Sequence, residues 1–581
     1  MTTAALATGG AGSAASATQA PAQGLPPANP VSPEIYVPRS QTVPPPGFFI
    51  SARTAVRLAE RTRAYQKARA KHPDIRGTAY ISPLPLASGT FYHWEVHFTA
   101  GKKALVEVDM STAGLVLEVQ TAPDVGWNLL RGYPGVLGQR LNAPYVWLPL
   151  CLVFLLPFFD PRRPLRLLHL DLVMLLAFGI SQIYFSDGRP DISVPLVYPF
   201  LVYVIARMLI AALRPARRRG SLIPYVSTRA LVAGVVVLLA FRAVLGFTDS
   251  RLFDLSTAGV VGAQRILHGL PLYVQNDYHG DTYGPVNYLA YVPFELVFPF
   301  NEAHGARPAA RTATVSFDLL VVISLFVLGR RLRPGPDGNR MGAALAFAWV
   351  AYPYTSLVIE SVTNDALVPL FLIWALILLR SPPARGLLAA IAGLTKFSPF
   401  AVLPVIATGR GPFRWRPVLT VAAAATAFTV ALIWAFLPEH GLSEFWNTTL
   451  GFQIHRTSPL SLWVRDPSLD WLRTVCEVFA VGIAIGAAFV PSRRTIGQIA
   501  ALCAAILAAI QIPANYWIYF YLVWFAPFFV IALFEEYPVL AAGRRAQERV
   551  SKAFVNPLSR SQPPSVTTTR SSILTPNDPG M

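Results

Sequence analysis

Residues 248–285 read TDSRLFDLSTAGVVGAQRILHGLPLYVQNDYHGDTYGP and separate two apolar segments. The first segment ends at Phe247, and the second begins at residue 286 with VNYLAYVPFELVFPF. A connection of this length between two membrane segments is unusual, and long loops are usually functional. The acids of this loop are Asp249, Asp254, Asp277 and Asp281. Carboxylates at the height of a lipid head group indicate chemistry on a substrate that the membrane holds.

The composition is typical of a membrane protein. Of the 581 residues, 53% are hydrophobic and 14% are charged, whereas soluble domains carry about 25% charged residues. A spanning helix needs about 20 apolar residues, and runs that approach this length recur about a dozen times. We therefore predict an all-α polytopic membrane protein with about 11–13 membrane segments, preceded by a small soluble α+β domain.

Changes in composition divide the chain into five parts. Residues 1–46 form an Ala/Pro-rich tail without the basic start or apolar core of a signal peptide, and we expect disorder there. Residues 50–125 have the patterns of a small soluble domain. Residues 143–213 hold the first membrane spans, residues 229–537 hold the main membrane core, and residues 538–581 form a basic, disordered cytoplasmic tail.

The small domain is predicted from alternation and turn signals. Helical spacing covers residues 51–71, and strand patterns cover residues 91–98, 104–108 and 115–119, with a turn at residues 111–114. This helix-then-hairpin order, with VDMSTAGLVLEV at residues 108–119, resembles a PepSY-like domain. The resemblance implies a binding or regulatory accessory and not a catalytic unit.

The net charge of +18 is spread over short loops. These basic loops cover residues 162–166, 214–219, 330–333, 410–416 and 493–494, and the tail adds residues 544–549. Because short basic loops stay on the cytoplasmic side of a membrane, the charge indicates topology and not nucleic-acid binding. Cys151, Cys476 and Cys503 lie in apolar runs, where we expect them to pack.

Two membrane segments are short and interrupted by proline. Residues 286–300 contain Pro293 and Pro299, and residues 387–407 contain Lys396, Pro399 and Pro404. If each segment leaves the membrane on the side from which it entered, the basic loops all face the cytoplasm and Asp254 faces outside. Non-helical backbone at membrane depth is tolerated only inside the protein or along a wet cavity. We therefore predict a cavity near these two breaks. The charge pattern does not decide on which side of the membrane residues 50–125 lie.

Two ionisable side chains inside apolar sequence are candidate site residues, because such groups are costly and usually functional. Lys396 lies in IAGLTKFSPFAVLP and suits a phosphate or a carboxylate. Its alternative role is a lysine whose stem is buried and whose ammonium reaches the interface. Asp365 lies in SVTNDALVP at the start of a span, where an acid also caps a helix.

The loop before residue 286 supplies further candidates. Asp254 opens an amphipathic stretch with small residues, and we predict that it is a general base, with Asp249 as the competing choice and a helix cap as the structural alternative. Asp281 and Tyr283 form a second polar cluster in HGDTYGP. His279 with Asp281 offers two metal ligands, which are too few to predict a metal site.

A third polar loop, FWNTTLGFQIHRTSPLSLW, carries His455 and Arg456. A guanidinium can clamp a leaving phosphate and an imidazole can donate a proton to it; a solvated loop is the alternative. Some charges lie deeper in apolar runs, and we expect them to pair between helices without a further role. They are Asp171, Arg207, Arg242, Glu295 and Asp318.

Residues 230–540 resemble a polytopic GT-C glycosyltransferase, in particular the family-87-like mannosyltransferases of bacteria that use polyprenyl-phosphate sugars. The motifs that carry the resemblance are LFDLSTAGVVGAQRILHGLPLY at residues 252–273, DTYGPVNYLAYVPFE at residues 281–295, TND ending at Asp365, LTKF around Lys396, and the late His455. The chain departs from this family in having YGP where a double proline is usual. It also has extra spans and a soluble domain at the front.

The resemblance implies an inverting transfer of a hexose such as mannose to an extracytoplasmic lipid or glycan acceptor, at the plasma membrane. Asp254 would take the acceptor proton, and Asp365 would orient Lys396 or the sugar. The departing polyprenyl phosphate would be stabilised by Lys396, His455 and Arg456, with Asp249, Asp281 and Tyr283 as further substrate-binding residues. No cofactor is implied, a divalent metal stays open, and no nucleotide-binding signature is present.

Two other classes of function remain open. A secondary transporter or flippase of a lipid-linked or anionic substrate also uses broken helices with ionisable residues at mid-membrane. We find no internal repeat, which such transporters usually have. A structural or signalling membrane protein that senses a ligand through residues 50–125 would leave Lys396 and Asp365 without a role.

Overall fold

The computed structural model of the protein describes the chain from residue 36 to residue 539 with several gaps. The gaps are residues 87–88, 102, 122–140, 142, 187–188, 216–217, 219, 249–251, 253, 274–281, 301–305, 457 and 459. For a few further residues, including Asp254, only the backbone is described.

The small domain near the amino terminus is α+β, as predicted. Its elements are α1 (Ala52–Ala59), α2 (Arg63–Lys71), β1 (Arg76–Leu86), β2 (Gly89–Ala100), β3 (Lys103–Met110) and β4 (Val116–Thr121). The strands form one antiparallel sheet in the order β1-β2-β3-β4. One face of β2 presents Trp94, Val96 and Phe98 to a buried apolar core that the residues of α1 share. The fold therefore follows from the alternation of β2.

The predicted strands correspond to β2, β3 and β4, whereas β1 was missed. Strand β1 contains Pro83 and Pro85, and proline is usually evidence against a strand because it cannot donate to the ladder. Here β1 lies at the edge of the described sheet, where proline is tolerated. The turn at residues 111–114 is confirmed, and it ends with Gly114 at a φ of 89°.

The rest of the described chain is helical. Its helices are α3 (Pro144–Leu155), α4 (Leu167–Leu176), α5 (Phe178–Ser186), α6 (Pro190–Leu213), α7 (Thr228–Thr248), α8 (Asp254–Leu267), α9 (Pro285–Leu289), α10 (Val292–Val297), α11 (Arg307–Leu332), α12 (Gly335–Ala351), α13 (Pro353–Glu360), α14 (Leu367–Ile377), α15 (Pro382–Lys396), α16 (Leu403–Thr408), α17 (Trp415–Ala435), α18 (Gly441–Trp446), α19 (Phe452–His455), α20 (Leu462–Arg465), α21 (Asp470–Gly486), α22 (Ile496–Ala509) and α23 (Leu522–Glu535).

Several helices are apolar enough to span a membrane. Within the described residues, five have the necessary length and composition: Leu167–Phe185, Pro190–Leu213, Thr228–Thr248, Arg307–Leu332 and Trp415–Ala435. A sixth span results if α12 and α13, which bend by 56° at their junction, act together. Five shorter apolar stretches accompany them: Pro144–Leu155, Leu367–Ile377, Ser398–Thr408, Ile496–Ala509 and Tyr519–Glu535.

The basic loops meet at one end of the helical body, which we call the basic end. Arg218 N–H donates to the Glu536 carbonyl (2.9 Å), and Arg333 Nη2 donates to the Glu535 carbonyl (2.8 Å). Arg494 N–H donates to the Arg410 carbonyl (2.9 Å). The basic end comprises residues 162–166, 214–215, 218, 220–223, 330–333, 408–416, 491–495 and 535–539. Arg166 joins it through the Ser221 carbonyl (3.0 Å), and Thr495 joins it through the Glu535 carboxylate. The charge pattern predicted that these loops share one side of a membrane. The described loops lie together at one end of the helical body, and residues 544–549 lie outside the described residues.

The two interrupted segments are broken in the way that their prolines predict. Residues 286–300 form α9 and α10, which have five and six residues and are too short to span a bilayer. Helix α15 leaves the basic end and stops at Lys396, after which a 3₁₀ turn (Ser398–Val402) and α16 return. Arg385, near the start of α15, donates to the Ala407 carbonyl (2.8 Å) near the end of α16. Residues 382–409 therefore form a hairpin whose two ends lie together.

Candidate functional site

The tip of this hairpin faces the start of α14, and both lie well away from the basic end. Helix α14 ends at Ile377, whose carbonyl accepts from Arg331 Nη1 (2.7 Å) at the basic end. Asp365 precedes this helix, and Lys396 is the last residue of the antiparallel α15. With a rise of 1.5 Å per residue, Asp365 and Lys396 lie about 15–20 Å from the basic end.

Lys396, Asp365 and Tyr283, which the sequence offers from three separate segments, are in contact. Lys396 Nζ lies 3.6 Å from Asp365 Oδ1 and 4.6 Å from the centre of the Tyr283 ring. Trp524 Nε1 donates to the same carboxylate oxygen (2.9 Å). Asp365 is 1% exposed and Lys396 is 7% exposed, so both charges have lost almost all of their hydration and depend on one another.

The backbone is strained on both sides of this pair. Val362, three residues before Asp365, has a φ of 51°, and Phe397, directly after Lys396, has a φ of 55°. Among the described residues these are the only non-glycine residues with positive φ. Such a conformation in a β-branched or bulky residue is an outlier that costs about 1–3 kcal/mol and tends to occur at functional sites.

Tyr283 reaches Lys396 because its neighbour is glycine. A Cβ at Gly284 would collide with the Leu394 carbonyl on α15, so no other residue allows the chain to approach this helix so closely. The Tyr283 carbonyl accepts from Tyr273 Oη (2.8 Å), and the Tyr283 N–H donates to Tyr288 Oη (3.1 Å). Backbone contacts on both sides therefore fix the position of the aromatic ring over the ammonium.

Helix α8 begins at Asp254 beside the loop that carries Asp365. The Ser256 hydroxyl, two residues into the helix, donates to the Val362 carbonyl. A Cβ at Gly262 would meet the Tyr288 ring, so the small residues of this helix let α9 pack closely. The general-base role of Asp254 stays a prediction. The Asp254 side chain lies outside the described atoms, and Asp249, His279 and Asp281 lie outside the described residues.

An aromatic wall connects Arg456 to the pair. The guanidinium of Arg456 lies 3.7 Å from the centre of the Tyr516 ring. Tyr516 lies beside Tyr521 (6.5 Å between ring centres), and Tyr521 stacks on Trp524 (4.3 Å), which binds Asp365. The sequence analysis missed this wall, although the run YWIYFYLVW at residues 516–524 is rich in aromatic residues.

His455 does not join the pair. Its side chain is exposed, and Nδ1 lies 2.7 Å from the Gly451 carbonyl, four residues earlier. No contact described for His455 reaches Asp365 or Lys396. The same loop nevertheless touches the site, because Gln453 Nε2 donates to the Thr282 carbonyl (3.1 Å) next to Tyr283. Of the two candidates in this loop, only Arg456 is connected to the pair, through the aromatic wall.

Several buried polar atoms at the site lack a hydrogen-bond partner among the described residues. They include Thr363 Oγ1, Asn364 Oδ1 and Asp365 Oδ2, although all three residues are fully buried. Buried polar groups are almost always hydrogen-bonded, and exceptions ask for an explanation. Together with the strained backbone, they distinguish this site from the fully hydrogen-bonded parts of the fold.

The deeper charges mostly pair between helices, as predicted. Arg242 Nε donates to Asp318 Oδ2 (3.0 Å), and Arg207 Nε donates to Asp171 Oδ1 (2.9 Å). For Glu295 the prediction of a pair between helices is not met, because its carboxylate accepts from the Phe300 N–H (2.7 Å) and holds the end of its own segment.

Comparison of the chain with protein-family models, curated proteins and solved structures gives no match. The resemblances to GT-C glycosyltransferases and to PepSY domains therefore rest on the sequence motifs alone, and function has to be argued from the site.

Proposed function

We propose that the protein is an integral membrane glycosyltransferase with a GT-C-like core of about 11–13 membrane segments. It transfers a hexose, with inversion, from a polyprenyl-phosphate donor to an extracytoplasmic lipid or glycan acceptor. The observation that carries the proposal is the buried Lys396–Asp365 pair, held against Tyr283 between two strained turns.

The sidedness of the reaction follows from the basic end. If that end faces the cytoplasm, as the positive-inside rule expects, the pair lies about 15–20 Å into a hydrocarbon core that is about 30 Å thick. The loop with Asp254 then lies on the far side of the membrane. A lipid-linked sugar whose head group enters from that side would meet the carboxylate of Asp254 and the ammonium of Lys396.

The chemistry assigns one step to each group. Asp254 takes the proton of an acceptor hydroxyl while the new bond forms between that oxygen and the sugar C1. The bond between C1 and the phosphate oxygen breaks, and polyprenyl phosphate leaves with the electron pair. The positive charges of Lys396 and Arg456 stabilise the developing phosphate charge; preorganised charge of this kind is usually a large catalytic contribution. Asp365 and Tyr283 hold Lys396 in position.

The proposal is tested by sugar transfer in membranes that contain the full-length chain. The donor is a radiolabelled polyprenyl-phosphate hexose, and product is followed in lipid and glycan extracts. We expect Asp254→Asn to fold normally and to lose about 10²–10⁴-fold in transfer, because general base catalysis contributes this much. The matched control is Asp470→Asn, since Asp470 also opens a helix (α21) and its side chain is exposed.

Asp254→Asn and Asp249→Asn together decide which aspartate is the general base. Wild-type transfer by Asp254→Asn would remove the base role from Asp254, and a parallel loss in Asp249→Asn alone would move it to Asp249. No transfer by the wild-type chain from any polyprenyl-phosphate hexose would contradict the proposed function itself.

A second candidate function is a transporter or flippase, and the bent pair of α12 and α13 favours it. A 17-residue helix and an 8-residue helix meet at 56° just before the loop that carries Asp365; discontinuous helices near ionisable residues are also how secondary transporters build a substrate site. The two functions differ in product. A flippase changes the side on which the labelled lipid lies in vesicles without forming a glycosidic bond, whereas a glycosyltransferase consumes the donor.

A further inference from the structure

The amino-terminal sheet has a polar face that the proposed sugar transfer does not use. Alternation along β2 places His93, Glu95 and His97 on the face opposite to its apolar core residues. In the register of the sheet, Glu95 lies opposite Asp109 and His97 lies opposite Glu107 on β3. Two imidazoles and three carboxylates therefore share one small area.

This face is buried, which is unusual for its composition. Glu107 is 0% exposed and Asp109 is 1% exposed, and His93 and Glu95 are also buried. Acidic side chains are almost never fully buried unless they are paired or bind a metal. Three carboxylates this close also repel one another, so the face requires positive charge.

The positions of the donor atoms fit a metal ion. One ligand atom from each of His93, Glu95 and Asp109 lies within 4.8 Å of the others, and the same holds for Glu95, His97 and Glu107. His93 Nε2 is 3.4 Å from Asp109 Oδ1, and His97 Nε2 is 3.7 Å from Glu107 Oε2. Ligand atoms around tetrahedral Zn²⁺, with bonds of about 2.0–2.2 Å, are roughly 3.3–3.6 Å apart.

A second observation points to a ligand. Neither ring nitrogen of His93 has a hydrogen-bond partner among the described residues, although the side chain is only 5% exposed and turned toward Asp109. The environment is also strongly negative. His97 Nε2 lies 2.6 Å from Glu95 Oε1 and 3.7 Å from Glu107 Oε2, so three carboxylates and two imidazoles converge here.

We propose that the polar face of this sheet binds a divalent transition-metal ion, with Zn²⁺ as the best match, through His93, Glu95 and Asp109. Imidazole nitrogen with carboxylate oxygen is a ligand set that suits Zn²⁺. Mg²⁺ and Ca²⁺ prefer oxygen ligands only, so this set disfavours them. His97 and Glu107 form a second set that shares Glu95 and supports it. The bound ion neutralises the buried carboxylates and stabilises the domain.

The test uses the full-length chain, purified in detergent, freed of metal with a chelator and titrated with Zn²⁺. We expect about one tightly bound ion per chain by calorimetry and by elemental analysis, and a rise in unfolding temperature when Zn²⁺ is added. Mg²⁺ at the same concentration should produce neither effect. His93→Gln should weaken Zn²⁺ binding by at least about 100-fold and abolish the temperature rise.

The matched control is His72→Gln, because His72 is an exposed histidine at the end of α2 in the same domain. It should bind Zn²⁺ like the wild type. If His93→Gln does not fold, the isosteric Asp109→Asn serves the same purpose. A wild-type chain that binds no Zn²⁺, or Zn²⁺ binding that both cluster variants retain, would overturn the proposal and leave a metal-free network of histidines and carboxylates.

Discussion

Two buried ion pairs in the helical body differ in how completely they are satisfied. Arg242 bonds both carboxylate oxygens of Asp318, and its remaining N–H groups reach the Val350 carbonyl and Thr355; Asp318 also accepts from Trp349 Nε1 (2.7 Å). Lys396 and Asp365 are 3.6 Å apart, one carboxylate oxygen has no partner among the described residues, and the backbone is strained on both sides.

The comparison separates a structural pair from a candidate functional one. Every group that loses water on burial must find a replacement, and a complete set of hydrogen bonds provides it. The Arg242–Asp318 pair has this set within the protein and has nothing to offer a ligand. The Lys396–Asp365 pair keeps unused hydrogen-bonding capacity, which is what a substrate phosphate or sugar hydroxyl requires.

The largest effect is expected when the complete pair is broken. Arg242→Met leaves the Asp318 carboxylate buried and unpaired, which costs about 3–5 kcal/mol of folding free energy. We expect little folded protein in detergent and a strongly lowered unfolding temperature. The double variant Arg242→Met/Asp318→Leu should recover most of the loss, because replacing a whole buried pair with apolar residues is often neutral. Normal stability of the single variant would contradict a structural role for the pair.

Breaking the incomplete pair, Lys396–Asp365, should affect sugar transfer more than stability. Lys396→Ala should lower sugar transfer by about 10²–10³-fold, as loss of one charge-stabilising group typically does, and should lower stability less than Arg242→Met does. Asp365 keeps its bond from Trp524, just as Asp318 keeps its bond from Trp349. The difference is that Lys396 lies 3.6 Å from Asp365, whereas Arg242 donates two hydrogen bonds to Asp318, so less is lost with Lys396. Transfer and unfolding temperature are measured on the same preparation.

A double variant decides between a catalytic and a structural role for Lys396. Lys396→Ala/Asp365→Asn removes both charges, so any folding defect of the single variant should be relieved. If transfer stays lost while stability returns, the ammonium acts on the substrate. If transfer returns together with stability, the pair is structural like Arg242–Asp318, and the proposed site is wrong.

The sequence could predict one half of this site and not the other. Lys396 and Asp365 stand out because ionisable groups are rare in apolar segments. Trp524 does not, because an aromatic residue in an apolar run has the same pattern whether it packs or binds a ligand. The strained turns were equally hidden: Val362 and Phe397 hold positive φ, and only glycine would have indicated this from sequence.

The fold shows the same division between local pattern and tertiary context. The alternation of FYHWEVHF predicted β2, but an alternating strand usually exposes its polar side, and the burial of Glu107 and Asp109 depends on packing that the pattern does not contain. Hydropathy likewise identifies an apolar run, but it does not show whether the run forms one long helix or, as in residues 286–300, two short ones. The break after Lys396 is different, because Pro399 indicates it from the sequence.

The smallest effects are expected from substitutions of two neighbouring threonines, Thr314 and Thr363. Thr314 Oγ1 on α11 donates to the Thr363 carbonyl (3.2 Å), whereas Thr363 Oγ1 has no partner among the described residues. Thr314→Val removes a buried hydrogen bond and should cost about 1 kcal/mol. Thr363→Val removes an unsatisfied hydroxyl and keeps the size of the side chain, so the protein should be equally stable or about 1 kcal/mol more stable. The KM for the donor should rise. Denaturant unfolding and transfer kinetics on both variants measure these changes.

Equal destabilisation by the two variants, with an unchanged KM for Thr363→Val, would mean that the Thr363 hydroxyl has a partner within the fold. The unused polar surface beside Asp365 would then be a packing feature, and the contrast between the two ion pairs would lose its functional meaning.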